Sequence, residues 1–292
     1  MRRPELMLNI SVPQLAAQAA AMPADGVGLM RAEFLALHAG RHPRRILAEG
    51  GADAYVQLFR DGIQAVAAAF HPRPVTYRTS DLKSNEYRGL AGGEEFEPQE
   101  ANPMIGARGV YRYITHPDEF ALELAALRQV RAEGFDNVRV MLPFVRTLGE
   151  LTEVKALIAS SGLLDDGIEL WAMAEVPSIA LLAQDVAAEC DGLSIGSNDL
   201  VALVLGVDRD SPDLNARYRS NDPAVLEALR RIIEGAHAEQ RPVSICGDHP
   251  SSERELVQAL LQMGIDCISV VPQAFAQTSA LLDELTLKGA RS

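Results

Sequence analysis

The residues best placed to do chemistry lie in three short segments: Glu175-Val176-Pro177, Gly196-Ser197-Asn198-Asp199-Leu200, and Asp208-Arg209 about ten residues on. Glu175 closes the apolar run that contains Trp171, and Asp199 follows the run from Leu193 to Gly196. Carboxylates at the ends of neighbouring strands suit Mg²⁺, which takes oxygen ligands and leaves positions open for water or substrate. Either acid alone reads as a helix cap or a surface group. Together, at equivalent places and beside the carboxamide of Asn198, they favour a metal. Arg31, Arg78, Arg108 and Arg209 form a second set, because guanidinium forks match phosphate and carboxylate oxygens and stay charged. Each could instead pair with a nearby acid, Arg31 with Glu33 and Arg209 with Asp208 or Asp210. Four of them at strand ends and in loops of an acidic chain favour a small polyanionic substrate. Cys246 ends the run Ser244-Ile245-Cys246 before a glycine, where a thiol with an unperturbed pKa of about 8.5 can serve as a proton donor. Its direction is not fixed by sequence. Cys190 and Cys267 read as small buried apolar residues.

Eight apolar runs must position these groups: residues 6–12, 27–31, 74–79, 138–145, 168–175, 192–196, 242–246 and 267–271. Helical stretches follow most of them, including 12–21, 117–133 and 223–239. Alternating strands and helices predict an α/β fold with a parallel sheet, and eight units predict a (β/α)8 TIM barrel. Periodicity alone does not separate a barrel from an open doubly wound sheet. The polar residues help: Arg31, Arg78, Glu175, Asn198, Asp199 and Cys246 stand at or just past the C-terminal ends of apolar runs, and in a barrel those ends converge on one face. Roughly sixty residues separate the third strand from the fourth, against ~2–6 for an ordinary β-α loop. Residues 82–103, rich in Gly, Glu and Asn, predict a long loop over the mouth.

The 292 residues fit one barrel domain spanning 1–292, with no visible internal boundary. Composition is ordinary for a soluble globular protein, and no uninterrupted apolar stretch approaches a membrane span. A formal charge of −13 without a basic stripe argues against a nucleic-acid surface. Three cysteines without metal spacing, and an N-terminal run that lacks a cleavage site, predict a cytoplasmic protein. None of the six histidines has the context of a covalent phosphate carrier.

The segments Gly26-Val-Gly-Leu-Met-Arg-Ala-Glu-Phe34, Arg78-Thr-Ser-Asp-Leu-Lys-Ser-Asn-Glu-Tyr87, Glu100-Ala-Asn-Pro-Met-Ile-Gly-Ala-Arg-Gly109, Met141-Leu-Pro-Phe-Val-Arg-Thr147, Ser194-Ile-Gly-Ser-Asn-Asp-Leu200 with Gly206-Val-Asp-Arg-Asp210, and Ser244-Ile-Cys-Gly247 occur in this order. The set resembles the phosphoenolpyruvate (PEP)-binding barrel of the PEP-utilising enzymes. Lys83-Ser-Asn-Glu-Tyr87 makes it most similar to the PEP synthase (pyruvate, water dikinase) branch. The resemblance implies that Glu175 and Asp199 bind Mg²⁺, that Asn198 helps hold the substrate, and that Arg31, Arg78 and Arg209 grip the phosphate and carboxylate of PEP. Arg108 is implied as a further active-site arginine. Cys246 is implied as the proton donor to the methylene carbon of enolpyruvate. The family also implies a homodimer, and a phosphohistidine that exchanges the phosphoryl group with PEP. No segment resembling an ATP-grasp or phosphohistidine domain occurs in the chain, which leaves three readings: an excised domain, a stand-alone subunit served by a phosphohistidine domain or protein in trans, or a descendant with altered chemistry.

Where the family usually carries Thr-Gln after Asn-Asp-Leu, this chain has Val201-Ala202, and Asp248 follows Gly247 in place of Gln or Glu. Two rival readings follow. One is a stand-alone Mg²⁺-dependent lyase or aldolase acting on a 2-oxo acid. The other is a non-catalytic PEP or pyruvate sensor.

Overall fold

The computed structural model describes residues 2–289. Eight strands, β1 (Glu5–Ile10), β2 (Val27–Arg31), β3 (Val75–Arg78), β4 (Val138–Leu142), β5 (Leu170–Ala174), β6 (Gly192–Gly196), β7 (Val243–Cys246) and β8 (Cys267–Val270), follow one another around a closed barrel. All pair in parallel, and the register Glu5↔Cys267 to Leu8↔Val270 closes the ring. Every residue of β5 and β6 is buried, as expected for strands covered on both faces. The two-residue alternation sends Leu6, Leu8 and Ile10 into the shell beneath the helices, while Met7 faces a cavity at the N-terminal end of the lumen. Each of the eight expected strands is present, and the fold is the expected α/β TIM barrel.

The outer helices are held by apolar stripes at helical spacing. Helix Ala52–Phe70 buries Tyr55, Phe59, Ile63, Val66 and Phe70 on one side and packs against helix Pro117–Ala132. Gly62 lies on that stripe because a Cβ there would stand 2.5 Å from a methyl of Leu35. Helix Pro223–Ala238 starts with Asp222 accepting from the Ala224 N–H and a proline at its first turn. None of the helices among the described residues is long and apolar enough to cross a membrane.

Two connections depart from a plain β-α repeat. Helices Glu33–Ala39, Pro43–Ala48 and Ala52–Phe70 fill the β2–β3 crossover, a length that was not singled out from sequence. The long insertion after β3 is present as expected, but it is not one open loop. It carries the helix Ser84–Arg88 and short turns at Gly93–Glu95 and Pro103–Ile105. A buried ionic cluster ties it to the barrel wall. His42 Nε2 lies 2.8 Å from Glu97 Oε1, and Arg112 Nη2 reaches Glu97 at 2.6 Å and Glu119 at 2.9 Å. The Arg112 guanidinium covers the Tyr87 ring at 3.8 Å, and the His42 ring stacks on Phe96. His42, which reads from sequence as part of a polar stretch, is thus a fully buried pin.

Burial alone would raise the pKa of Glu97, but hydrogen bonds from His42 and Arg112 outweigh it and hold the carboxyl down at about 2. Its contribution to stability is therefore present above the unfolded carboxyl pKa and is lost as pH falls through about 2. Replacing Arg112 with Ala takes that partner from the buried Glu119 carboxylate and leaves Glu97 with His42. The expected loss is about 3–5 kcal/mol, read as a lower urea midpoint at pH 7. A midpoint within error of the native one would show that the cluster does not pin the insertion.

Candidate active site at the barrel mouth

The C-terminal ends of the strands converge on a cavity of about 280 Å³. Arg31 ends β2, Arg78 ends β3, Glu175 follows β5, Asn198 and Asp199 follow β6, and Cys246 ends β7. Arg108 enters from the β3–β4 insertion and Arg209 from the connection after helix Ser197–Leu205. All eight residues nominated from sequence line this one cavity.

Its centre is a buried group of three carboxylates, Asp81, Glu175 and Asp199, each offering an oxygen within 4.8 Å of the others. Asp81 escaped the sequence reading as a site residue. It lies three residues past Arg78 in a polar run where no periodicity marks it, although the segment Arg78-Thr-Ser-Asp81 was itself conspicuous. Burial, with Asp199 and Asp81 close by, pushes the Glu175 carboxyl up to about 8. The Phe144 N–H donates to Glu175 Oε1 at 2.8 Å. Phe144 makes that bond from φ 51°, a left-handed conformation that a non-glycine residue holds only when its surroundings fix it. At the end of β6 a Cβ on Gly196 would stand 2.3 Å from Glu175 Oε2, so the carboxylate has room only beside glycine.

Arginines surround the carboxylates. Arg108 donates from Nε to Asp81 Oδ1 at 3.0 Å and from Nη2 to Asp81 Oδ2 at 2.5 Å, a bidentate pair, and also reaches Asp199 Oδ2 at 3.0 Å. Arg209 pairs with the other Asp199 oxygen and lies 3.9 Å from Asp210. Arg78 pairs with Glu33 at 2.5 Å and with Asp81 at 3.7 Å. Arg31, more exposed, stands 3.8 Å from Glu33 and over the Phe34 ring. The local pairings weighed for Arg31 with Glu33 and Arg209 with Asp210 therefore form alongside the shared site. The Nε groups of Arg31 and Arg78 are buried without a hydrogen-bond partner in the protein, two donors suited to a bound anion.

Residues 1–287 match the family model described as "PEP-utilising enzyme, PEP-binding domain". The chain belongs to the PEP-utilising enzyme family. It is 45% identical to the phosphoenolpyruvate synthase of Aeropyrum pernix over 92% of its own length and 34% of the relative's. With the phosphoenolpyruvate synthase of Pseudomonas aeruginosa it shares 40% identity over 96% of its length and 39% of the relative's. The chain thus spans little more than a third of these relatives. Among solved structures it resembles a citrate lyase of Burkholderia xenovorans, with a TM-score of 0.58 at 17% identity over 97% of this chain and 76% of that one. A Haloferax volcanii malate synthase gives a TM-score of 0.57 at 10% identity, over 94% of this chain and 68% of that one. At such identities the likeness is one of fold.

Three positions unlike the family pattern, Val201, Ala202 and Asp248, have defined surroundings. Val201 and Ala202 are buried in helix Ser197–Leu205 and do not line the mouth cavity. Asp248 accepts from Asn198 Nδ2 at 2.8 Å, and its own N–H donates to Asn198 Oδ1 at 3.1 Å, which orients the carboxamide. Gly247 between them and β7 has φ +113°, and a Cβ there would fall 2.2 Å from Ser197 Oγ. Asp248 and Glu33, like Asp81, were missed as site residues, since acids in loops or at the first turn of a helix carry no local signal of what they face.

Cys246 is buried, 4.0 Å from Ser194 Oγ and 3.6 Å from the Ile195 carbonyl, and it does border the cavity. Burial pushes its thiol up to about 11 against the opposing pull of the Arg78 charge. A group with this pKa is a neutral thiol at physiological pH. At pH 8.5, iodoacetamide followed by peptide mass mapping is expected to label Cys246 at least tenfold more slowly than a free thiol, whose pKa is about 8.5. Labelling at the free-thiol rate would mean an exposed or activated thiolate.

Proposed function

We propose that this barrel binds PEP or pyruvate together with Mg²⁺ and carries the pyruvate side of a PEP synthase-type phosphoryl transfer. The observation that carries the reading is the buried carboxylate triad ringed by four arginines, with a neutral thiol at the edge of the same cavity. An all-oxygen donor set fits Mg²⁺, and Glu175, raised by burial with Asp199 and Asp81 close by, is a carboxyl whose charged form a cation would favour. Glu175 and Asp199 would hold the ion, with Asp81 beside them. When bound, Mg²⁺ supplies positive charge opposite the oxygen on which charge develops as the phosphoryl group leaves.

The chain's own groups would act as follows. Arg31, Arg78 and Arg209 bind the phosphate and carboxylate, Arg108 adds charge from the insertion, and Asn198, held by Asp248, orients the substrate. The PEP C–O–P bridge breaks on the phosphorus side as a P–N bond forms to a histidine outside this chain. The remaining enolate takes the Sγ proton of Cys246 onto its methylene carbon, giving pyruvate and a thiolate. In the opposite direction the thiolate removes that proton. The phosphohistidine is proposed to come from a further domain or a partner in trans. A homodimer and a cytoplasmic location complete the reading, supported by the family resemblance and by three unpaired buried cysteines.

Calorimetric titration with PEP tests the pocket. Saturable binding is expected with Mg²⁺ and not with chelator, and Asp199→Ala is expected to weaken it by about 100-fold or more. Binding that ignores both the metal and Asp199→Ala would refute the assignment of the mouth. Cys246→Ala separates enzyme from sensor. It should retain PEP binding while losing exchange of pyruvate methyl protons with D₂O, followed by NMR in the presence of Mg²⁺ and inorganic phosphate. Unchanged exchange in that variant would take the proton-transfer role from Cys246.

A further inference from the structure

The wall near the thiol differs in character from the charged rim. Leu29 on β2, Met141 on β4, Trp171 and Met173 on β5, and Cys246 on β7 form one buried cluster inside the barrel, separate from the shell under the helices. Of these, Leu29, Met173 and Cys246 border the mouth cavity. Met173 Sδ also lies 3.6 Å from Arg78 Nη1, so the apolar floor and an anion-facing guanidinium meet at this side chain.

A layer of buried side chains backs this floor. Met141 is fully buried, and Trp171, two residues before Met173 on the same face of β5, reaches the cavity at the opposite, N-terminal end of the lumen. The indole fits because Gly192 lies against it: a Cβ there would stand 2.6 Å from the ring. A close-packed section of lumen therefore backs Met173, and core side chains of this kind resist displacement by an added methylene.

We propose that Leu29 and Met173 set the carbon-chain limit of the site, admitting the three-carbon skeleton of PEP and pyruvate and excluding a fourth carbon. The inference rests on the proposed reaction, in which the substrate methylene carbon must approach Cys246 Sγ. The phosphate and carboxylate are drawn to the arginines, which leaves that carbon as the apolar end. Leu29 and Met173 are the apolar side chains of the thiol's own cluster that also face the cavity. A methyl group added to the methylene carbon meets them directly.

The test compares calorimetric affinities for PEP and for (Z)-2-phosphoenolbutyrate, which is PEP with one methyl on the methylene carbon. Both are titrated with Mg²⁺ into the native protein, Met173→Ala and Leu29→Ala, with melting curves to confirm folding. Because both ligands report on the same folded fraction, the ratio of affinities is insensitive to partial loss of stability. The native protein is expected to favour PEP by roughly tenfold or more, and at least one truncation should erase most of that preference. Met173→Val serves if Met173→Ala does not fold. A native protein that binds both ligands equally would overturn the size limit, as would an undiminished preference in variants that still bind PEP. Loss of all PEP binding in folded truncations would also overturn it, assigning these side chains to the integrity of the site instead. Failure of the native protein to bind PEP under any condition would overturn the proposed function and this inference together, an outcome distinct from the others.

Discussion

Three carboxylates with oxygens within 4.8 Å of one another, removed from water at the end of a barrel, are the constraint around which the mouth is organised. Two like charges about 4 Å apart repel by about 4 kcal/mol even at an effective dielectric of ~20, and burial strips away the hydration that would soften this. The fold meets that demand with charges it can fix in place. Arg108 lies bidentate on Asp81 and bridges to Asp199, Arg209 takes the other Asp199 oxygen, and Glu175 receives a main-chain N–H. The guanidiniums that would bind an anion are the same ones that neutralise the carboxylates. In the proposed reaction the two ligands are therefore coupled: a divalent cation among the carboxylates frees arginine charge for the phosphate and carboxylate of the substrate.

Such an arrangement requires Arg108 to be held in place although it comes from an insertion and not from a strand. The chain anchors it from both sides. Gly109, at φ +60°, lies so close to β4's exit that a Cβ would stand 2.7 Å from the Pro143 carbonyl, and Arg146 donates to the Gly106 and Arg108 carbonyls at 2.6 and 3.3 Å. The guanidiniums of Arg108 and Arg146 both lie over the Phe144 ring, at 4.1 and 4.6 Å from its centroid. Phe144 thus offers its N–H to one member of the triad and its ring to the arginine that neutralises another. Its left-handed backbone is a local cost matched to both contacts. Further out, the His42, Glu97, Arg112 and Glu119 cluster fixes the rest of the insertion to the barrel wall.

The strands and the principal site residues were legible in the sequence because both are marked by the same local signal, a polar group at the end of an apolar run. Arg31, Arg78, Glu175, Asp199 and Cys246 carry that mark, and the barrel topology makes the ends of the runs meet. Asp81, Glu33 and Asp248 do not carry it, since each becomes a site residue through partners supplied by other segments. Asp81 is tied to Arg108, 27 residues away, and Asp248 to Asn198, 50 residues away. The insertion shows the same limit. Leu82, Lys83 and Glu86 do border the mouth as a covering loop would, whereas Tyr87, Phe96 and Glu97 are held against the wall by His42 and Arg112, partners that no local pattern announces.

In the proposed reaction the thiol would join binding to proton transfer. Protonation of an enolate carbon needs a donor that is protonated at neutral pH, a requirement a thiol meets even unperturbed, and burial, which pushes Cys246 up to about 11, reinforces it. The opposing influence is Arg78, whose charge favours the thiolate. In the proposed complex a bound anion offsets that charge, so the proton stays on sulfur while substrate is held. Once the phosphoryl group has left, the anion facing Arg78 is smaller, its charge is again available to the sulfur, and the thiolate left by proton donation is stabilised where it forms. In the proposed reaction one guanidinium would grip the substrate before the step and favour the conjugate base after it, so that a deeply buried acid could still be used.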